Sequence, residues 1–292
     1  MYAFIEVHAN CYPVIVQCQI LKVSRSAYYS WKEKKCAGGD ADEKKKEMEQ
    51  TVISIFKEHL RRYGVRRVTA ELKARATKVS AYKVRKVMGK NGLKAIQPRS
   101  FVPKTTDSRH PYAISRNLLA ERSFPIKPNE VWVSDITYIA LASGSFLYLA
   151  VWMDLFSRKI IGWQLKDHMK EALIIEAFQK ALQNRVAPKG LIVHSDRGGQ
   201  YAGSTFRQLI ASKDILQSMS RADNPYDNAF MESCFSRFKA ELMQDGAFDN
   251  AEDAQTEIFE YIEMYYNTKR RHSSLNYQSP MNFESNYYFY KT

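Results

Sequence analysis

Hydrophobic positions change their period near residue 129. Before it, apolar residues recur at three- and four-residue spacing, as on short amphipathic helices. Val84, Val87 and Met88 form one such stripe on a helix predicted over 81–91. Ser80 stands where an N-cap belongs, and Asn91-Gly92 where a helix stops. Ser24 is a second candidate cap, ahead of Tyr28, Tyr29 and Trp31. Gly38-Gly39-Asp40 predicts a break before a helix around 44–60. Tyr63-Gly64-Val65-Arg66-Arg67 then opens a helix to about Ala76. The last two helices, joined by a turn, predict a helix-turn-helix-like arrangement.

After 129 the pattern is that of strands. Runs at 131–141, 146–155 and 159–166 predict three strands joined by tight turns at Ser143-Gly144-Ser145 and Ser157-Arg158. A helix over 170–184, a strand 191–196, a helix 205–213 and a strand 216–220 follow, then a long helix from near Pro225 with Asn224 as its cap. Three meandering strands and then alternating helix and strand predict an α/β core of ribonuclease-H-like type behind an all-α region. Pro98, Pro103, Pro111, Pro125 and Pro128 mark a linker between them. The expected domains are 1–96, a basic helical DNA-binding region; 97–128, the linker; 129–245, the catalytic core; and 246–292, a helical extension. An amphipathic helix over 251–267 and a polar tail complete that extension.

Charge divides along the same line. Net charge is +13 over 292 residues. Residues 1–104 hold 23 Lys and Arg against 9 Asp and Glu, while 105–292 hold 21 against 22. All excess positive charge lies in the first third, which points to phosphate contacts there. Lys83, Lys86 and Lys90 share one side of the 81–91 helix, away from its apolar stripe, and with Arg66 and Arg67 are candidate DNA contacts. Cys11, Cys18, Cys36 and Cys234 form no Cys-x-x-Cys pair, which argues against a zinc module. The longest apolar run, 146–153, is too short to span a bilayer, and no basic leader precedes 12–21. The expected place of work is the cytoplasm, on the nucleoid, with no membrane partner.

Three carboxylates occupy distinctive settings. Asp135 follows Val131-Trp132-Val133-Ser134; Asp196 ends Leu191-Ile192-Val193-His194-Ser195 and precedes Arg197-Gly198-Gly199. Glu232 follows Asn228-Ala229-Phe230-Met231, with thirty-five residues between it and Asp196. A charged Asp among buried neighbours costs several kcal/mol unless it is paired or cation-bound. Two Asp on strands and a Glu on a helix can hold two Mg²⁺ ions for phosphoryl chemistry. Asn228, Glu232 and Lys239 fall on one helical stripe, so Asn228 and Lys239 join the candidate DNA contacts, as does Arg271 in the basic turn 269–272. Asp154 is the rival carboxylate, expected to cap its turn or pair with Arg158; His194 is expected to support the site at most.

Together these motifs resemble transposases of the insertion sequence three family, second-reading-frame product, whose core is shared with retroviral integrases. The resemblance rests on Val23-Ser24-Arg25-Ser26-Ala27-Tyr28-Tyr29, Tyr63 to Arg67, Asn91-Gly92-Leu93, Trp132 to Tyr138, His194 to Gly198, and Tyr265-Tyr266-Asn267 through Arg271 to Leu275. Ser279-Pro280, the thirty-five-residue gap and Lys239 seven positions after Glu232 complete it. It implies Asp135, Asp196 and Glu232 as a metal-holding catalytic triad using Mg²⁺, with Mn²⁺ as substitute. It also implies a homo-oligomer acting on transposon-end and target DNA, and a first-frame helix-turn-helix and leucine-zipper segment joined by frameshift. A DNA-binding regulator without catalysis, or a nuclease that cuts but never joins, are the alternatives.

Overall fold

The structure is a computed structural model that describes residues 1–97, 112–120, 122–221, 228–243 and 246–290, and only the backbone of 36–42. The chain forms two compact units, Met1–Ala95 and Ile96–Thr292.

The first unit is helical: α1 (Tyr2–Val7), α2 (Val14–Ile20), α3 (Arg25–Glu58), α4 (Val65–Ala74) and α5 (Ala81–Lys90). Ser24 Oγ accepts from the Ala27 amide and Ser80 Oγ from the Lys83 amide, so both expected caps are made. Past α5, Gly92 takes φ +62°, and the Leu93 amide closes back onto the Met88 carbonyl at 2.9 Å. Val52, Ile55 and Phe56 of α3, Val68 and Leu72 of α4, and Val84, Val87 and Met88 of α5 are all buried. The break expected at Gly38-Gly39-Asp40 does not occur, because α3 runs through it. Two glycines cost a helix about 1 kcal/mol each. Here they are flanked by Ala, Glu and Lys, with no proline to remove a bond.

The second unit is built on a five-stranded sheet of β1 (Val131–Ala140), β2 (Phe146–Asp154), β3 (Ile160–Lys166), β4 (Ile192–Ser195) and β5 (Leu216–Met219), ordered β3-β2-β1-β4-β5. β1, β2 and β3 pair antiparallel; β4 and β5 add on in parallel beyond β1. Around it lie α6 (Glu171–Asn184), the short α7 (Gly199–Ala202), α8 (Ser204–Ala211), α9 (Ala229–Leu242), α10 (Ala251–Phe259) and α11 (Pro280–Phe289). Both faces are covered, so the central strands read as nearly continuous apolar runs. Trp132, Ala150 and Trp152 pack with Leu173, Phe178 and Phe206 on one face. Val131, Val133, Val151 and Met153 pack with Met231, Phe235 and Phe238 of α9 on the other. Gly162 lets α6 lie directly on β3: a Cβ there would sit 2.4 Å from the Ala177 carbonyl oxygen and 2.6 Å from the Ala181 nitrogen.

Sequence expectation and structure part company at the ends of this unit. From Tyr112 the expected linker is already strapped to the sheet, with Ser115 Oγ donating to Gln217 and the Leu118 amide to Ser218 Oγ. Residues 98–111 lie outside the described residues, as does the expected Asn224-Pro225 helix start; α9 is described from Ala229. The segment after 246 is part of the core rather than an appendage. Phe248 bonds the β1 end through Ala140 and Ala142, and Ala254, Ile258, Tyr261, Ile262 and Tyr266 are buried against the α9 side. The helix expected over 251–267 is α10, which passes into a π-helical stretch at Glu260–Tyr266. The expected polar tail is α11, capped by Ser279 and anchored by Glu284, which takes two bonds from Arg185 at 2.6 and 2.7 Å. That anchor joins positions 99 apart and leaves no periodic trace in the sequence.

Candidate active site

Asp135 lies in the middle of β1, on the same face as Val131 and Val133, which is the face α9 covers. Parallel pairing of β1 with β4 runs Val131 to Ile192, Trp132 to Val193 and Val133 to His194. Carried two residues on, that register sets Asp135 level with Asp196, just beyond the carboxyl end of β4. Neighbouring strands are about 4.8 Å apart, so the two half-buried carboxylates face one another at the point where the sheet turns from antiparallel to parallel. The Ile136 amide donates to Asp135 at 2.8 Å, and the Gly198 amide to Asp196 at 3.0 Å.

The electrostatics follow from this proximity. Burial pushes the Asp135 carboxyl well above the usual range, and the negative charges of Asp196 and then Glu232 add to the rise. The Ile136 amide and the more distant charge of Lys239 oppose it. Beneath both aspartates Tyr201 is fully buried, its hydroxyl 2.7 Å from Ser134 Oγ. Burial, then Asp135 and Asp196, drive its ionisation far up, so Tyr201 stays a neutral floor. Two like charges in one half-buried place are a standing deficit that a cation corrects. The donor set, hard carboxylate oxygens with no thiol or imidazole, fits Mg²⁺ or Mn²⁺. Among the described residues no three His, Cys, Asp or Glu are yet close enough to hold one ion. The two sheet aspartates thus influence one another directly, and Glu232 stands within electrostatic reach of Asp135.

Glu232 is exposed in the first turn of α9. Lys239, two turns on, places Nζ 3.6 Å from the centre of the Tyr138 ring on β1. Partial burial lowers the lysine to about 8, against the pull of Asp135. α9 therefore runs along β1, with Glu232 and Lys239 both near Asp135. Glu241, near the far end of α9, is held in a buried pair by Arg270 at 2.6 and 2.8 Å, with Tyr261 donating at 2.9 Å.

The other sequence candidates disperse. Asn228 does not join Glu232 and Lys239 on an open stripe; it is buried, its Oδ1 lacking a hydrogen-bond partner among the described residues. It precedes the first full turn, where helical spacing no longer governs direction. Arg271 is half-buried and donates to the Tyr277 carbonyl at 2.8 Å. Asp154 is fully buried and accepts from the Ser157 amide and hydroxyl and from the Asn129 amide, so it caps its turn. His194 is buried between Ser218 and Ser220. In the first unit Arg66, Lys83 and Lys86 are exposed; Arg67 is half-buried over the Tyr63 ring; and Lys90 is paired with Glu49 at 3.0 Å. Sequence reasoning missed Tyr201, Tyr138 and Ser134, which reach the site through strand register and packing; only the apolar setting of Ser134 hinted at it.

The chain is similar to known proteins over most of its length. Residues 125–225 and 213–280 match the family described as Integrase core domain, and 42–101 match an HTH-like domain. The transposase InsF of insertion sequence IS3A from Escherichia coli (strain K12) is 35% identical over 284 residues, 97% of this chain and 98% of that one. The transposase of insertion sequence element IS904 from Lactococcus lactis subsp. lactis (strain IL1403) is 40% identical over 246 residues, 82% of this chain and 96% of that one. The HTLV-2 integrase catalytic core domain, solved in complex with magnesium, is similar at 17% identity and a TM-score of 0.43, covering 55% of this chain and 98% of that one. A ribonuclease-H-like integrase core, preceded by a helix-turn-helix-like unit, defines a DDE-type DNA transposase, a divalent-metal-dependent enzyme. The chain belongs to the IS3 family of insertion-sequence transposases. Among the described residues no helix is long and apolar enough to cross a membrane.

Proposed function

We propose that Asp135, Asp196 and Glu232 are the catalytic and metal-holding residues of a transposase that cuts at transposon ends and joins the released ends to target DNA. The observation that carries this is the level placement of Asp135 on β1 and Asp196 just beyond the end of the adjacent parallel β4, with the Asp135 carboxyl held above its usual range. Asp135 and Asp196 would hold Mg²⁺, or Mn²⁺ in its place, and Glu232 would complete the ligand set from α9. Bound there, the cation supplies Lewis-acid stabilisation of charge on the phosphoryl group being transferred, most effectively as a pair of ions. Water attacks the phosphodiester at the transposon end and releases a 3′-hydroxyl. That hydroxyl then attacks a second phosphodiester in line, displacing its 3′-oxygen. No side chain forms a covalent intermediate. Lys239 keeps a positive charge beside Asp135 and faces the incoming DNA phosphate.

The first unit supplies affinity, through Arg66, Lys83 and Lys86 on α4 and α5, with Arg67 and Lys90 contributing less because of their internal contacts. The domain division follows the two units, Met1–Ala95 and Ile96–Thr292. The protein works on nucleoid DNA as a homo-oligomer, fused to or accompanied by a first-frame segment. The test is cleavage and strand transfer on duplexes carrying the element's terminal repeats, in Mg²⁺, with the first-frame segment added. Wild type cuts and joins, and Glu232→Gln does neither while binding DNA normally. A Glu232→Gln variant with full strand transfer would contradict Glu232 as the third carboxylate.

A further inference from the structure

The turn between β2 and β3 contains a residue that neither the fold nor the proposed chemistry accounts for. Arg158 adopts φ +60°, the left-handed region. A non-glycine residue there costs about 1 kcal/mol or more, and a turn of this shape would take glycine without that cost. The Arg158 side chain does not pair with Asp154, whose oxygens are taken by Ser157 and Asn129. Its guanidinium instead lies 4.2 Å from the centre of the Phe230 ring and 5.1 Å from that of Phe124. The two rings meet edge to face at 5.9 Å. Three segments far apart in sequence thus converge on one cation.

Phe230 is in the first turn of α9, two residues before Glu232. The cap residue of that helix, Asn228, makes no side-chain capping bond. At the other end Lys239 sits over Tyr138. α9 is therefore tied to the sheet at both ends by cation–aromatic contacts of opposite sense. At one end the ring is on the helix and the cation on the sheet; at the other the cation is on the helix. Glu232 lies between them, 7 residues before Lys239.

We propose that Arg158 is a positioning residue: by stacking on Phe230 it fixes the first turn of α9 and so the reach of Glu232 to the Asp135–Asp196 pair. This rests on the assignment of Glu232 as the third ligand. A stacked guanidinium has the planar geometry for the role, and an ammonium does not. Misplacing a reactive group by about 1 Å costs on the order of 100-fold in rate.

Arg158→Gly relieves the backbone strain, and Arg158→Lys keeps the charge. The measurement is hydrogen–deuterium exchange of the full chain, read alongside strand cleavage in Mg²⁺ and Mn²⁺. The expected result for Arg158→Gly is at least about 10-fold faster exchange in peptides covering 229–236, with β1 and β4 still protected. Cleavage falls about 10- to 100-fold and the Mn²⁺ concentration for half-maximal activity rises, with the melting temperature near that of wild type. Arg158→Lys gives the same pattern in smaller degree. Phe230→Leu reproduces the effect, and its combination with Arg158→Gly adds little to either alone. Unchanged exchange in 229–236 would overturn the proposal, whatever the activity. So would a fully active Arg158→Gly, or one that loses only salt-sensitive DNA affinity while Arg158→Lys retains it, since that marks a phosphate contact. Persistence of cleavage in Glu232→Gln would refute the Glu232 assignment instead, and the exchange result would still report on the clamp.

Discussion

The two units of this chain use charge in opposite ways. In the first, basic residues outnumber acids by a wide margin and the candidate DNA contacts Arg66, Lys83 and Lys86 stand exposed on α4 and α5. Each exposed cation is nearly independent of the next, and salt screens them all. In the second unit the charges balance in number, and the consequential ones are out of water: Glu241 with Arg270, Glu284 with Arg185, and Asp135 beside Asp196. Their effect depends on one or two ångströms of placement. Affinity for DNA should therefore erode gradually with substitutions in the first unit, whereas activity in the second should fail at single residues.

The largest expected effect is at the sheet aspartates. Asp135→Asn or Asp196→Asn should lower cleavage by 10³-fold or more, on the order of 4 kcal/mol, with metal-free DNA binding intact. Asp135→Asn should also raise the melting temperature of the metal-free protein at neutral pH. A carboxyl whose folded pKa is raised supports the fold while protonated and loses that support as pH climbs through the folded value. Removing its charge relieves the deficit, so a lower melting temperature would count against the assignment.

Next in size is the buried pair behind α9. Glu241 and Arg270 are each only a few per cent exposed, and Arg270→Ala would strand the carboxylate. About 3–5 kcal/mol of stability should be lost, measured by denaturant unfolding. Gly162→Ala should cost about 1–3 kcal/mol, because its Cβ meets α6 backbone that cannot easily give way. The smallest effects belong to the first unit. Lys86→Ala should weaken binding to any duplex and reduce the salt slope by about 0.9, while Lys90→Ala should do less because Glu49 already holds that charge. Equal effects from Lys86 and Lys90 would dissolve the distinction between free and paired cations.

What the sequence made legible follows the same division. Asp135 and Asp196 stand out because a carboxylate inside or ending a buried apolar run is conspicuous without any structure. The caps at Ser24 and Ser80 and the stripe of Val84, Val87 and Met88 are local, and periodicity reports them. Contacts between distant residues are another matter. Nothing in the order of residues says that Arg270 turns inward to Glu241 while Arg271 bonds a local carbonyl. Asn228 falls on the Glu232 stripe by spacing, yet it stands at the N-cap position ahead of the helix, buried and without a side-chain capping bond. The Arg158–Phe230 contact and the α11 anchor join positions 72 and 99 apart, beyond the range of any period.

Divalent-cation binding in the absence of DNA is the most direct test of the central claim that the sheet aspartates form the metal seat and α9 completes it. Mn²⁺ titration by calorimetry should be run on wild type, Asp135→Asn, Asp196→Asn and Glu232→Gln. Binding should vanish in both Asp variants and weaken less in Glu232→Gln, whose carboxylate stands outside the seat in the structure. In wild type it should weaken as pH falls, since protons compete for an Asp135 carboxyl that already holds them above the usual range. Undiminished Mn²⁺ binding in Asp135→Asn or Asp196→Asn would contradict the account.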